Sequence, residues 1–409
     1  MNEKEDLENK KIENIEWDRI SIQQFAKHFG ISTSALIVLA QQNDPYYIGS
    51  ISELRSAKWI GGIVTQYLNE RGRENVHDRA IHYYILSRNL KRPFKKKDWK
   101  LFKGDSNDFH WVMNSIRNAR ILGLIPWECI EDKKNPEPHI HSYYWNHEDI
   151  DQIQITIEDI AKAVSNDRRF VIFNPQLQQP YHVEIWTEKT TINDILLPLG
   201  RKYGANVATF SGQSTSTRVY ELITRIVTAK KPVRILYISD YDKYGHNMPV
   251  SCGRKIQWFL DTYEMYVDVK LQKILLTKEQ VQKYELPSAP DSINKVEIDA
   301  LEVYYPDETR KIVMQPLDQY IDLKVTEKIA VQNMKIRDAI YETIMEQKDS
   351  IGNLLEKLDL NKAKELCHNF KLPISKPKTP DGVDYIYDSD LNYIKQVQKF
   401  KDYLKRRSD

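Results

Sequence analysis

Cysteine and long apolar runs are what this sequence has least of. Its 409 residues include three cysteines, Cys129, Cys252 and Cys367, which lie far apart and form no C-x-x-C pair. That number and spacing argue against a disulfide-stapled secreted fold and against a cysteine-rich zinc site. No run of about 18 apolar residues occurs, so the sequence predicts no membrane span. Residues 1–19 are charged and lack an apolar core, which argues against a signal peptide and makes the cytoplasm the expected location.

A net excess of either charge is also missing, because 60 Lys and Arg stand against 58 Asp and Glu. As an average, the resulting +2 argues against a nucleic-acid-binding protein. The average hides residues 88–103, where eight basic residues face the single acid Asp98 and alternate with Phe94, Trp99 and Phe102. Two interpretations stay open for this segment: a solvated surface, or contact with the phosphate backbone of DNA. The lysines assigned to such a contact are Lys95, Lys96, Lys97 and Lys100.

Several cofactor motifs are absent. No G-x-G-x-x-G follows a predicted strand, and neither G-x-x-x-x-G-K-[ST] nor G-x-S-x-G occurs. Dinucleotide binding, P-loop ATP hydrolysis and the serine-hydrolase elbow therefore have no support. His139, His141 and His147 lack a fourth ligand at normal zinc spacing, with Cys129 distant, so a zinc site is not favoured.

The residue pattern divides the chain into four parts. Residues 1–50 are an extension in which two short helices around Gly30 fit either a DNA-reading helix-turn-helix or a structural hairpin. Residues 51–150 show three helices and then a Pro-, aromatic- and His-rich stretch at 125–147 that suits a wing, which together predict an all-α winged-helix domain. Residues 151–310 alternate strands and helices, and residues 311–409 are mostly amphipathic helix interrupted by a Pro-rich link at 372–382.

The third part has the alternation of an α/β fold. Strand patterns occur at residues 182–186, 205–210, 234–239 and 266–276, with helical patterns between them. Alternation with short turns predicts a mostly parallel, Rossmann-like sheet.

Acidic residues follow two of these strands. Glu188 and Lys189 come after the first, and Asp240 and Asp242 come after the third, with Gly245 turning the chain into a helix. The carboxyl ends of parallel strands meet at one edge of a sheet, where ligands collect. Three carboxylates brought together there repel one another unless a hard cation lies between them, and oxygen ligands favour Mg²⁺.

These residues resemble the Toprim domain of the topoisomerase VI A subunit and its relative, the meiotic double-strand-break protein. The Glu188–Lys189 pair and the D-x-D-x-x-G run from Asp240 to Gly245 stand in the family's order, and Glu297 lies in a similar K-x-E-[IL]-x-A-L stretch. Lys243 stands where the family has proline, and residues 212–215 replace its G-Y-P-D-like turn. Both differences affect the phosphate-side loops and leave the acids intact.

The family also carries an N-terminal winged-helix (CAP-like) domain in which a nucleophilic tyrosine follows an arginine by four residues. Arg79 and Tyr83 have this spacing, which puts both side chains on one helix face. Free tyrosine, with a pKa near 10, is a poor nucleophile at pH 7, and an adjacent guanidinium stabilises the phenolate or binds the phosphate. Tyr84 points about 100° away and is expected to pack.

The resemblance implies a Mg²⁺-dependent DNA-cleaving enzyme, similar to type IIB topoisomerase A subunits, that joins Tyr83 to the 5′ end of the broken strand. It also implies a homodimer acting on double-stranded DNA, a separate ATP-binding partner subunit for any strand passage, a nucleoid- or plasmid-associated location, and a phosphate or acid-cluster contact for Lys189. Two alternatives stay open: a Toprim nuclease that hydrolyses DNA without a covalent tyrosine, and a non-catalytic DNA-binding protein.

Overall fold

The computed structural model of the chain describes residues 22–40, 44–47, 50–95, 97–133, 135–142, 155–164, 171–210, 216–289, 295–346, 361–373, 375–378 and 380–406. The helices of these residues are α1 (Ile22–Phe29), α2 (Thr33–Leu36), α3 (Ile51–Arg71), α4 (Asp78–Ser87), α5 (Ser106–Ile121), α6 (Ile157–Val164), α7 (Pro175–Gln178), α8 (Asn193–Tyr203), α9 (Ser216–Ala229), α10 (Lys243–Thr262), α11 (Lys278–Lys283), α12 (Ile298–Tyr304), α13 (Pro306–Tyr320), α14 (Leu323–Glu346), α15 (Asn361–Asn369) and α16 (Tyr393–Arg406). The strands are β1 (Lys91–Phe94), β2 (Asp98–Leu101), β3 (His182–Thr187), β4 (Asn206–Thr209), β5 (Val233–Ile238), β6 (Val269–Leu275) and β7 (Tyr387–Asp388).

A five-stranded sheet forms the centre of the chain, in the order β4-β3-β5-β6-β7. The first four strands pair in parallel and β7 pairs antiparallel with β6. Strands β3, β4 and β5 are buried along their whole length, as expected for apolar strands covered on both faces. The predicted α/β class, with a mostly parallel sheet, is confirmed.

Helices cover both faces of this sheet. One apolar core holds Trp186, Phe259 and Phe400 between the sheet and α9, α10 and α16. The other holds Leu236, Leu317 and Tyr320 between the sheet and α8, α12 and α13. Strands β4 and β5 flank β3 on opposite sides. The chain therefore passes from β3 to β4 on one side and then crosses back over β3 to β5 on the other side. This reversal opens a crevice at the carboxyl ends of β3 and β5.

Helices α3, α4 and α5 pack around a separate apolar core that includes Ile60, Ile85 and Ile116. The hairpin attached to them differs from expectation: β1 and β2 pair antiparallel inside the basic segment, between α4 and α5. In the described residues 125–133 and 135–142, where a wing was expected, the only pairings are the isolated bridges of Ile130 to Val76 and of His139 to Val207. Proline and histidine made that stretch look like a hairpin, but its backbone pairs with other elements instead.

The two ends of the described chain pack together. Phe25, Ala26 and Leu36 of α1 and α2 form a small core with Tyr393 and Ile394 at the start of α16. Lys401 of α16 donates to the carbonyl oxygens of residues 34 and 35, at 3.1 and 2.6 Å. These contacts favour the structural hairpin over the DNA-reading interpretation of this pair of helices.

The C-terminal part is divided among several helices. Its described residues form α13, α14, α15 and α16, with α13 ending at Tyr320. The two-residue strand β7, which the sequence did not predict, then adds to the edge of the sheet. Among the helices described, none combines the length and the apolar character needed to cross a membrane.

Candidate metal centre and tyrosine helix

The first two predicted ligands, Glu188 and Asp240, meet at the crevice between β3 and β5. The backbone N–H of Asp240 donates to Oε1 of Glu188 at 2.5 Å, and the N–H of Glu188 donates to the carbonyl of Ile238. Asp240 is 6% exposed, and its Oδ1 accepts from the backbone N–H of Ile298 at 2.8 Å. The start of α12 is thereby brought to the same place as the two strand ends.

Asp242 is the N-cap of α10, and its Oδ1 accepts from the N–H of Gly245 at 2.6 Å. Capping uses one carboxylate oxygen and leaves the other for a ligand. Gly245 is required by space, since a Cβ there would lie 2.1 Å from the carbonyl oxygen of Asp240. The D-x-D-x-x-G spacing therefore has a packing reason: the helix begins directly against the backbone of the first aspartate.

Lys189 forms the centre of an ion-pair cluster beside these acids. Its Nζ lies 3.3 Å from Oδ2 of Asp240, 3.2 Å from Oε2 of Glu297 and 2.5 Å from Oδ2 of Asp299. Burial alone would lower the pKa of Lys189, but the hydrogen bond to Asp299 and the charge of Asp240 raise it above its usual value. Lys189 is thus directed at the acid cluster, one of the two contacts expected for it.

The carboxylates of the crevice have perturbed acidities. Burial raises the pKa of Glu188 to about 7, and the negative charges of Asp240 and Asp242 add to this rise against the hydrogen bond from Asp240 and the charge of Lys273. Burial also raises the pKa of Asp240. In Glu297, hydrogen bonds from Lys295 and Lys189 lower the pKa. At Glu188, burial and the neighbouring negative charges therefore act in the same direction.

The donor set fits a hard divalent cation, because three carboxylates interact electrostatically at one strand edge and an added positive charge there would relieve the strain on Glu188. The carboxylates do not form a complete set of metal ligands in this arrangement. Within the part of the chain that the structure describes, no three His, Cys, Asp or Glu side chains are already gathered around one metal position. The carboxylate of Asp240 is turned partly towards Lys189, so closing around an ion would require side-chain rotation.

Tyr83 and Arg79 lie on α4, in a different part of the fold from the acids. Tyr83 is 63% exposed, and its ring makes an edge contact with His82 at 5.3 Å between centroids. The guanidinium of Arg79 lies 5.9 Å from the ring centre of Phe109. Both candidate residues are on the surface.

Tyr84, its neighbour, packs as expected. It is 5% exposed, its hydroxyl donates to Oε2 of Glu70 at 2.9 Å, and its ring meets that of Tyr67 edge-on. The guanidinium of Arg88 covers the Tyr84 ring at 4.4 Å and pairs with Glu70 at 2.6 Å. Of the two adjacent tyrosines, Tyr83 is therefore the exposed one and Tyr84 the packed one.

The basic segment lies in the hairpin that follows α4. Lys95 and Lys97 are in the turn and Lys100 is on β2, whereas Lys96 lies outside the described residues. Lys95 and Lys100 approach the ring of Phe94, at 5.5 and 6.0 Å. Lys95, Lys97 and Lys100 are therefore grouped on one hairpin, apart from Lys189.

Sequence reasoning missed a buried carboxylate beneath the crevice. Glu184, fully buried in β3, accepts from Arg225 at 2.7 and 2.8 Å, from Trp186 at 2.8 Å and from Asn206 at 3.2 Å, and lies 2.9 Å from His182. The one available signal was a charged residue inside an otherwise apolar strand. Asp299 and Lys273 were also missed; Lys273 donates to the carbonyl of Asp240 at 2.9 Å.

The histidine cluster gives no zinc site among the described residues. The backbone of His139 pairs with Val207, and Cys129 Sγ donates to the carbonyl of Pro126 at 3.0 Å. His147 and the turn at residues 212–215 lie outside the described residues.

In comparisons with known proteins, no family model matches the chain and no curated protein sequence matches it either.

Proposed function

We propose that the protein is a Mg²⁺-dependent, DNA-cleaving transesterase of the type IIB topoisomerase A-subunit kind, with winged-helix and Toprim domains. The observation that carries the proposal is the meeting of Glu188 and Asp240 at the reversal point of the sheet, with Gly245 packed against the Asp240 backbone. The short motifs that resemble the family thus coincide with the place where an α/β sheet binds its ligand.

In the proposed reaction, the Tyr83 hydroxyl oxygen attacks a backbone phosphorus of double-stranded DNA. A phosphotyrosyl bond to the 5′ end forms, the bond from phosphorus to the 3′ oxygen breaks, and the phenolic proton ends on the released 3′ hydroxyl. Because one phosphodiester is exchanged for another, the reverse reaction reseals the strand. Arg79, one turn before Tyr83 on the exposed face of α4, binds the attacked phosphate and stabilises its charge.

Glu188, Asp240 and Asp242 would hold Mg²⁺, which supplies charge neutralisation at the phosphate and at the leaving oxygen. Lys189 opposes the rise that burial causes in the pKa of Asp240, and it fixes the start of α12 against the crevice through Asp299. The lysines of the hairpin hold the DNA backbone on either side of the cleaved bond.

A homodimer is part of this proposal. Tyr83 contacts His82 on its own helix, and its described contacts include none with Glu188, Asp240 or Asp242 of the same chain. Tyrosine from one subunit acting with carboxylates of the other satisfies this separation. An ATP-binding partner subunit is needed only for strand passage.

The same separation favours one rival. A Toprim nuclease that hydrolyses DNA with an activated water uses the carboxylates alone and leaves Tyr83 as a surface residue. Tyr83→Phe distinguishes the two: it abolishes cleavage by transesterification and spares hydrolysis. Glu188→Ala abolishes both. If the parent protein cleaves no DNA and Glu188→Ala changes only stability, the third possibility, a non-catalytic DNA-binding protein, replaces both.

A further inference from the structure

The hairpin of β1 and β2 exposes large apolar side chains next to its lysines. Trp99 is 53% exposed, Leu101 is 51% exposed and Phe94 is 40% exposed. In the strand register Trp99 lies opposite Pro93 and Leu101 opposite Lys91, so Trp99 and Leu101 share one face of the ribbon. Large apolar side chains exposed next to one another commonly mark a binding site.

Trp99 is held in place rather than free to rotate. The guanidinium of Arg55 on α3 lies 4.7 Å from the centre of its ring, and Nη1 of Arg55 donates to the carbonyl of Asp98 at 3.0 Å. One face of the indole is thereby covered by a fixed cation, and half of the side chain remains open. A ring ordered in advance loses little entropy when a second flat group stacks on it.

The base of the hairpin is equally firm and lies beside the candidate nucleophile. Arg92 is buried, pairs with Asp108 at 2.7 Å and covers the ring of Trp111 at 4.7 Å. Phe102, directly after β2, meets the ring of His82 at 5.2 Å, and His82 is the neighbour of Tyr83. The base of the hairpin is therefore connected, through Phe102 and His82, to the helix that carries Tyr83.

The lysines around Trp99 indicate what kind of partner this surface binds. Lys91, Lys95 and Lys97 are exposed on the same hairpin, and Lys100 is half-buried. Rows of lysine bind the phosphate backbone, and an aromatic ring among them adds stacking on a base, a combination typical of surfaces that bind unpaired DNA.

We propose that Trp99 is a base-stacking residue, which binds a DNA base that is unpaired or unstacked where the duplex passes the hairpin. The inference rests on the proposed function in taking DNA as the ligand, and it adds a contact to bases where the lysines contact only phosphates. Its consequence is a preference for gapped or kinked DNA over a continuous duplex.

The test uses the full chain with Tyr83→Phe and a chelator, so that binding is measured without cleavage. Anisotropy compares a continuous duplex of three helical turns with the same duplex carrying a short single-stranded gap. We expect the gapped DNA to bind more tightly. Trp99→Ala should weaken binding of the gapped DNA about 10-fold and leave the continuous duplex nearly unchanged. Trp99→Tyr should retain the preference, because it keeps an aromatic ring.

Two controls separate stacking from charge and from general surface effects. Lys97→Gln should weaken the binding of both DNAs and reduce the salt dependence of binding by the equivalent of about one phosphate contact. The preference for the gapped DNA should remain. Tyr266→Ala removes an aromatic side chain that is 98% exposed outside the hairpin, and it should change nothing.

An unchanged preference in Trp99→Ala overturns the inference while leaving the proposed function standing. A change of oligomeric state in Trp99→Ala also overturns it, because the face would then be a protein interface. If the parent protein binds neither DNA, the proposed function fails together with the inference.

Discussion

The backbone N–H of Asp240 donates a 2.5 Å hydrogen bond to Oε1 of Glu188. This bond joins the residues that follow β3 and β5, two neighbouring strands that lie 52 positions apart at this point in the sequence. It fixes one oxygen of Glu188, whose side chain lines a pocket together with Lys189 and Glu297. The candidate metal centre is therefore tied to the sheet itself rather than to a mobile loop.

The pKa values of Glu184 and Glu188, which lie four residues apart in and directly after β3, are shifted in opposite directions. Burial alone would raise the pKa of Glu184, but the charge and hydrogen bonds of Arg225 and the bond to His182 lower it below its usual range. Glu188, four residues later, has burial and like charges without a dedicated cation, and its pKa rises to about 7. Glu184 is paired with a buried cation, whereas burial raises the pKa of Glu188, and perturbed acidities of this kind cluster at functional sites.

Glu188→Gln should stabilise the protein above neutral pH when divalent ions are removed. The folded state binds this proton more tightly than the unfolded chain, so the parent protein loses stability as pH rises from about 4.5 through about 7. The loss is at most about 3 kcal/mol, at 1.36 kcal/mol per pKa unit. Thermal unfolding at pH 5 and pH 8 in chelator measures it, and the variant should exceed the parent only at pH 8.

At pH 8, Mg²⁺ should make the parent protein more stable than Glu188→Gln, because Mg²⁺ stabilises only the protein that binds it. The parent protein should gain unfolding temperature with Mg²⁺ and Glu188→Gln should gain little. Equal gains for both proteins would remove Glu188 from the metal centre.

Glu184→Gln should destabilise the fold by about 3 kcal/mol, because Arg225 loses its buried counter-charge. The contribution of Glu184 is present above pH 4.5 and is lost as pH falls below it, which is opposite in sign to Glu188. Chemical denaturation at pH 7 and pH 4 measures both effects. A loss that stays the same at the two pH values would contradict the assigned charge.

Gly245→Ala should disrupt the candidate metal centre, since the new Cβ would lie 2.1 Å from the Asp240 carbonyl oxygen and must displace it. We expect both lower stability and weaker Mn²⁺ binding, measured by unfolding and calorimetry. Gly62→Ala is the matched control, because no atom lies within 4 Å of a Cβ at that position on α3. There the helix should gain up to about 1 kcal/mol.

Substitution of the adjacent tyrosines Tyr83 and Tyr84 should affect stability and DNA cleavage separately. Tyr84→Phe removes the hydroxyl that donates to Glu70 and should cost about 1 kcal/mol while leaving DNA cleavage intact. Tyr83→Phe should change the free energy of unfolding by less than about 0.5 kcal/mol and abolish cleavage. If Tyr84→Phe were the variant that abolished cleavage, the assigned nucleophile would be wrong.

The sequence predicted the sheet well because its strands are short apolar runs between regular helices. It also predicted that Glu188 and Asp240 would meet, since that follows from parallel strands alone. It did not predict the hairpin at β1 and β2, because those strands are polar, two-stranded and rich in lysine, without the apolar alternation of a strand. The ion-pair cluster around Lys189 was only partly predicted, because Asp299 belongs to α12, far along the chain.

Covalent attachment of the protein to DNA tests the central claim most directly. The protein is incubated with supercoiled plasmid and Mg²⁺, denatured rapidly, and the DNA is analysed with and without protease. We predict linear DNA whose 5′ ends carry protein linked through Tyr83, visible as free linear DNA only after protease and absent from Tyr83→Phe. Linear DNA with unmodified 5′ ends, formed equally by Tyr83→Phe, would contradict the tyrosine mechanism.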